Sequence, residues 1–177
     1  MRITKVRRKP EEVSIEYERP NPHNRDLTDT IKFRCEEEPK SSFDSALQAL
    51  KEFLLDICEL PKKYGNTLTM TGVTVSYAKN GSRKIVLTGQ KNLVSSKSPL
   101  NLATPIRSTS AESEDADPDY LLSDDASKAL HAFIKEVEAY INGDRVSALP
   151  ESQPDLDEAV KGDESEETAE SAENEEE

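Results

Sequence analysis

Several features that mark particular classes of protein are absent from this 177-residue chain. It has no Trp, four Phe, five Tyr and two cysteines, Cys35 and Cys58. Two cysteines without a Cys-x-x-Cys pair exclude a disulfide scaffold and predict small apolar side chains in a reducing cytosol. No run approaches the roughly 18 apolar residues of a membrane span. The basic start, "MRITKVRRKP", lacks the apolar stretch that a secretory signal needs.

Sequence patterns of catalysis are also missing. There is no Gly-rich phosphate loop, no G-x-S-x-G elbow and no metal-binding His-x-x-x-His. His23 lies in a Pro-rich loop, and His131 has no carboxylate at helical spacing to orient it as a general base. We therefore expect no catalytic, metal or cofactor-binding residues, and a protein that is not an enzyme.

Charge divides the chain into two parts. Residues 1–110 hold 19 Lys/Arg and 13 Asp/Glu, whereas residues 111–177 hold 4 and 23. The first part is mildly basic. The segment 146–177 carries too few apolar residues to offset its ordering entropy, so it is predicted to be a disordered acidic tail.

Hydrophobic periodicity predicts the secondary structure. Val13, Ile15 and Tyr17 alternate with polar residues, as do Ile31, Phe33 and Cys35, which is the period of half-buried strands. Residues 41–60 instead show the spacing of one helical face, with Ser41 or Ser42 as candidate N-cap and Pro61 as the stop. A last helix is predicted within 120–145, capped by Ser123 and ended at Gly143.

The segment "VTVSYAKNGSRKIVLTGQ", residues 73–90, predicts a hairpin. A two-residue Asn80-Gly81 turn would split the apolar residues between the two faces. A three-residue loop, Lys79-Asn80-Gly81 with Gly81 left-handed, instead places Val75 opposite Ile85, Val73 opposite Leu87 and Tyr77 opposite Arg83. We prefer this second register because it keeps one face apolar.

Together these elements predict an α+β fold, with an antiparallel sheet of four or five strands, two helices on one face and the order ββ(β)-α-ββ-α. The predicted domain core is 1–94, which includes the helix 41–60 and the hairpin 67–93. Residues 95–119 are predicted to be a linker, or a strap that lies against the domain through "SPLNLATP". Residues 120–145 are predicted to hold a C-terminal helix that packs on the core, and the acidic tail follows.

Four basic residues are candidate nucleic-acid contacts: Lys32, Arg34, Arg83 and Lys84. Cations spread over one face can follow a phosphate backbone. The alternative is a solvated face whose charges pair within the protein, because Glu16 and Glu18 point outward on the neighbouring strand. Single-strand binders usually add aromatic stacking platforms, and most of the aromatic residues here occupy inward positions.

The segments "MRITKV", "FRC", "SSFDSALQAL", "ICELP", "GVTVSY", "SPLNLATP" and "LLSD…EVEAYINGDR" resemble a group of small uncharacterised proteins of bacteriophages and prophages. The similarity covers about residues 1–145. Such proteins resemble accessory products carried near phage recombination and replication genes. The resemblance implies a bacterial cytosol and a role in phage DNA metabolism, and it implies no activity.

The leading functional hypothesis is a non-enzymatic phage accessory protein that binds a protein partner in phage DNA metabolism. One alternative is a weak nucleic-acid binder with a basic sheet face and an autoinhibitory acidic tail. Another is a host-interference protein whose acidic tail mimics DNA. No membrane partner is expected, and a homodimer through an edge strand is a further candidate.

Overall fold

The computed structural model describes residues 1–24, 26–78, 82–109 and 120–146. Within these ranges, seven strands form one antiparallel sheet: β1 (Arg2–Lys9), β2 (Glu12–Pro20), β3 (Thr28–Cys35), β4 (Leu68–Tyr77), β5 (Arg83–Lys91), β6 (Leu100–Ala103) and β7 (Arg107–Ser108). The helices there are α1 (Ser41–Ala49), α2 (Lys51–Ile57), a 3₁₀ helix (Lys62–Thr67) and α3 (Asp124–Ile141). The predicted α+β class is confirmed. The predicted tail beyond Val146 and the predicted loop 79–81 lie outside the described residues.

The spatial order of the strands is β3-β2-β1-β4-β5-β6, and β7 also pairs with β5. The first strand of the chain therefore lies inside the sheet, between β2 and β4. Pro10 stands in the two-residue connection from β1 to β2, where its fixed φ suits a tight turn. This order brings residues far apart in sequence onto one continuous surface.

The sheet has more strands than the four or five predicted. The additional strands are β6, which pairs with Thr88–Lys91, and β7, which pairs with Lys84 and Ile85. Between them, Thr104 continues the pairing, since its N–H donates to the Leu87 carbonyl and its Oγ1 accepts from the Leu87 N–H. The segment predicted as a strap thus satisfies the backbone groups that β5 would otherwise expose at the sheet edge.

The register predicted for the β4–β5 hairpin is confirmed. Val75 pairs with Ile85, Val73 with Leu87, and Tyr77 with Arg83. The buried face has selected the register, because a shift of one residue would turn the apolar side chains toward solvent.

The helix predicted over 41–60 is divided at Leu50 and ends at Ile57, before Pro61. The prediction of a Ser cap was wrong: the N-cap is Lys40, which makes no side-chain cap bond, and Ser42 Oγ instead donates to Glu136 Oε2 at 2.6 Å. The chain leaves α2 through Glu59, whose φ is 54°. This left-handed turn, and not the proline, ends the helix.

The predicted ends of α3 are confirmed. Ser123 Oγ accepts a bond from the Ala126 N–H at 3.3 Å. Gly143 has a φ of 97°, and the N–H of Asp144 then reaches back to the Ala139 carbonyl. This left-handed glycine satisfies carbonyl groups of the last turn.

The helices cover one face of the sheet, which we call the core face. Its buried side chains form a single cluster with those of the helices, including Ile15, Val73 and Leu87 from the sheet and Phe43 and Phe133 from the helices. The two phenylalanine rings pack edge to face, with 5.4 Å between the ring centres. The opposite face, which we call the open face, carries no helix in the described part of the chain.

Candidate functional site

The open face is a polar surface whose side chains stand in rows across the strands. The pairing registers define these rows, because residues opposite one another on neighbouring strands point to the same side. The rows are Thr30–Glu18–Arg2, then Lys32–Glu16–Lys5–Thr74–Val86, then Arg34–Ser14–Arg7–Gly72–Thr88–Ala103.

The last of these is the arginine row, which we define by Arg34, Ser14 and Arg7. It contains no acidic residue. Arg34 and Arg7 flank Ser14 from its two neighbouring strands, so their Cα atoms are about 10 Å apart. Both arginines are exposed, and neither makes an ion pair among the described residues. Two guanidinium groups around a hydroxyl suit a carboxylate or phosphate group placed between them.

The neighbouring row is partly neutralised. Lys32 Nζ lies 3.9 Å from Glu16 Oε1, and Lys5 stands on the other side of the same glutamate. The alternative to nucleic-acid contact was that Glu16 and Glu18 pair with cations of β3, which on the open face are Lys32 and Arg34. Such pairing is present for Lys32 alone, because the register places Ser14, not a glutamate, opposite Arg34.

The four candidate nucleic-acid contacts do not form one cluster. Lys32 and Arg34 lie together on β3, at one edge of the open face. Lys84 is on the same face but on β5, which is four strand spacings, or about 19 Å, away. Arg83 belongs to the core face at the end of its strand, with its guanidinium 5.9 Å from the centre of the Tyr77 ring.

A shallow depression of about 550 Å³ lies beside Arg7 on the open face. The side chains of Thr71, Thr74 and Thr88 line it, and Lys9 and Pro10 form a wall. A second depression of about 420 Å³ adjoins Lys5 and Arg2. Both are open to solvent, so they suit an extended ligand rather than an enclosed small molecule.

The rows of the open face contain no aromatic side chain. The described Phe and Tyr rings lie on the core face, in helices or in loops. Phe33, for example, packs against Tyr140 with 6.1 Å between the ring centres. A surface without such rings has no platform on which unpaired bases could stack.

The described residues contain no arrangement that suggests catalysis. They include no group of three or more His, Cys, Asp and Glu that could hold a metal ion. His23 and His131 are both exposed, and neither side chain bonds a carboxylate within the described ranges. Burial raises the pKa of the Cys58 thiol, an effect that the charge of Arg107 opposes in part, so the reactive thiolate is disfavoured.

Lys5 and Arg7 are not among the four candidate contacts that the sequence predicts. The structure places them at the centre of the open face, because β1 is inserted between β2 and β4. Their alternation with Val6 indicates that Lys5 and Arg7 share the polar face of β1, but it does not reveal which strands flank β1. Arg8 does not join them, since it points to the core face and pairs with Asp44 of α1 at 3.1 Å.

Comparisons with protein-family models, curated proteins and solved structures find no match to this chain. In the ranges that the structure describes, no helix is long and apolar enough to cross a membrane.

Proposed function

We propose that this is a non-enzymatic accessory protein that binds an acidic segment of a protein partner through its open face. The observation that supports this most directly is the arginine row, where two exposed cations flank a serine and no carboxylate is present. The resemblance to phage accessory products suggests the context of that binding, which is phage DNA metabolism in a bacterial cytosol.

Two features favour a protein partner over a nucleic acid. Glu16 and Glu18 stand among the cations of the open face, where they would repel a continuous phosphate backbone. A peptide can present a cation or a neutral residue at those positions. The open face also lacks the aromatic rings that most single-strand binders use.

Nucleic-acid binding is the second candidate, and Lys5, Arg7 and Arg34 support it. No ion pair in the described part of the chain neutralises these three residues, so they are available to phosphate groups. The affinity of such contacts should fall steeply with salt concentration, because bound phosphates release condensed counterions.

Fluorescence anisotropy distinguishes the two candidates. The full-length protein is titrated into labelled Glu/Ser peptide, single-stranded DNA and duplex DNA, at about 50 and 200 mM salt. We expect the peptide to bind at both salt concentrations. We also expect the double variant Arg7→Glu, Arg34→Glu to bind it at least about tenfold more weakly, since both cations of the row are reversed.

The matched control is Lys62→Glu, Lys63→Glu, which makes the same change in net charge on the exposed 3₁₀ helix. It should leave peptide binding unchanged. Equal losses in the two double variants would show that net charge alone attracts the peptide, and the open face would not be the site. Duplex DNA binding that exceeds peptide binding and depends on Arg7 would favour the second candidate.

A further inference from the structure

The outer edge of β3 is an unpaired strand edge within the described residues. β3 pairs with β2 along its whole length of eight residues, from Thr28 to Cys35, and the sheet ends there. No described group outside the β2–β3 ladder bonds the backbone of this strand. One row of N–H and C=O groups is therefore available to another extended chain.

The two sides of this edge differ in chemistry. On the open face, Lys32 and Arg34 are exposed, and the Lys32 side chain is 70% accessible. On the core face, Ile31 and Phe33 are only half-buried because no further strand covers them. An added strand would bring one set of its alternating side chains against cations and the other set against apolar groups.

The site has a defined end. Beyond Cys35, Arg145 forms a bridge with Pro39, and the Val146 N–H donates to the Glu38 carbonyl. The Arg145 guanidinium lies 5.3 Å from the centre of the Phe33 ring and bonds Glu37 at 2.6 Å. The unpaired edge is therefore limited to β3 itself.

We propose that the β3 edge is a strand-addition site for an extended protein segment in which acidic and apolar residues alternate. The acidic side chains face Lys32 and Arg34, the apolar ones cover Ile31 and Phe33, and backbone hydrogen bonds supply the common affinity of strand addition. This inference rests on the proposed function and names its docking mode. Arg34 belongs to both surfaces, so the edge is continuous with the arginine row.

Charge disfavours a second copy of this chain in the registers that pair the centre of β3. When two β3 strands pair antiparallel, the open faces of the two copies lie on the same side of the joined sheet only if the numbers of each residue pair add to an even sum. Pairing Ile31 with itself brings the two Lys32 side chains to diagonal positions, and pairing Lys32 with itself places them directly opposite. Like charges at these positions destabilise a strand pair, whereas acidic residues there stabilise it.

Amide hydrogen exchange of the full-length protein tests the docking mode. The probe is a peptide of alternating Val and Asp, with about the eight-residue length of β3. Bound at saturation, it should slow exchange of β3 edge amides at least about tenfold, because they become hydrogen-bonded. The same peptide with N-methylated backbone keeps its charge but cannot complete the ladder, and it should bind at least tenfold more weakly. A Val/Lys peptide is the charge control and should not bind.

Two variants separate this inference from the proposed function. Lys32→Glu should weaken the Val/Asp peptide about tenfold, since it reverses an edge charge outside the arginine row. Arg7→Glu, two strands from the edge, should change this binding less than threefold. Equal binding of the N-methylated and unmodified peptides would overturn strand addition while leaving the open face as the site. Binding of the Glu/Ser peptide without any binding of the Val/Asp peptide would also overturn strand addition. Dimerisation of the free protein through β3 would overturn it as well.

Discussion

The side-chain amide of Gln48 in α1 makes both of its hydrogen bonds with the backbone of one residue, Met70 in β4. Oε1 accepts from the Met70 N–H at 3.0 Å, and Nε2 donates to the Met70 carbonyl at 3.2 Å. The β4–β5 register shifts between Met70 and Gly72, which marks a bulge. A bulge leaves backbone groups without hydrogen-bond partners in the ladder, and the Gln48 side chain provides the partners for Met70.

We expect Gln48→Leu to lower the free energy of unfolding by about 2–3 kcal/mol. The leucine fits a similar volume but leaves the Met70 N–H and C=O without partners beside the core. Urea unfolding followed by circular dichroism measures the change. Glu52→Ala, at an exposed position of α2, is the control and should stay within about 0.5 kcal/mol of the parent. Equal effects at the two positions would contradict the role given to Gln48.

Gly72 is required because β1 and β4 approach each other closely at the bulge. A Cβ at this position would lie well inside 3.0 Å of the Val6 carbonyl oxygen, which is backbone and cannot move aside alone. We expect Gly72→Ala to cost about 3 kcal/mol of unfolding free energy, the upper range for overpacking. Gly65→Ala is the matched control, since its nearest neighbour is Leu55 Cδ1 at 3.6 Å. It should change stability by less than about 1 kcal/mol.

Much of the fold follows from local sequence patterns. The alternation around Ile15 and Phe33, the hairpin register at Val75 and the ends of α3 could all be predicted, because each depends on neighbouring residues and one buried face. The Lys40 cap and the bulge that Gln48 stabilises could not. Both depend on residues that are distant in the chain, such as Glu136, which bonds Ser42.

The candidate site was less predictable than the fold. Lys32 and Arg34 could be assigned to one surface because they alternate along one strand. Their separation from Lys84, and the position of Arg7 opposite Ser14, depend on the strand order. Strand order arises from pairing between distant segments. The alternating pattern of a single sequence identifies the strands but does not show which of them are neighbours.

Glu59 is expected to be a destabilising residue. It is the non-glycine residue with a left-handed backbone at the end of α2, where Leu60 N–H bonds the Leu55 carbonyl at 2.8 Å. A side chain costs roughly 1 kcal/mol in this conformation. We expect Glu59→Gly to raise the free energy of unfolding by about 1 kcal/mol. Glu52→Gly, inside the helix, should lower it by a similar amount, so a decrease in both variants would contradict this interpretation.

Tyr140 makes stability sensitive to alkaline pH. Its ring is buried at the C-terminal end of α3, and its hydroxyl donates to the Glu37 carbonyl at 2.6 Å. Burial raises the pKa of this phenol above its ordinary value of 10, and the neighbouring Cys35 acts in the same direction. Because the folded pKa is raised, the stability of the neutral phenol is fully present below pH 10. It is lost as the pH rises toward the folded pKa.

Urea unfolding at pH 8, 9, 10 and 11 therefore provides the last test. Above pH 10 the unfolding free energy should fall by up to about 1.4 kcal/mol per pH unit for each buried tyrosine that ionises only on unfolding. Tyr140→Phe should be less stable at pH 8, because it loses the bond to Glu37, but should decline less steeply above pH 10. Tyr120→Phe is the control, since that ring is 61% exposed and its loss should leave the slope unchanged. If the unfolding free energy falls equally steeply with pH in the parent and in Tyr140→Phe, the alkaline sensitivity arises elsewhere. Tyr77 would then be the next residue to replace, because burial raises its pKa as well.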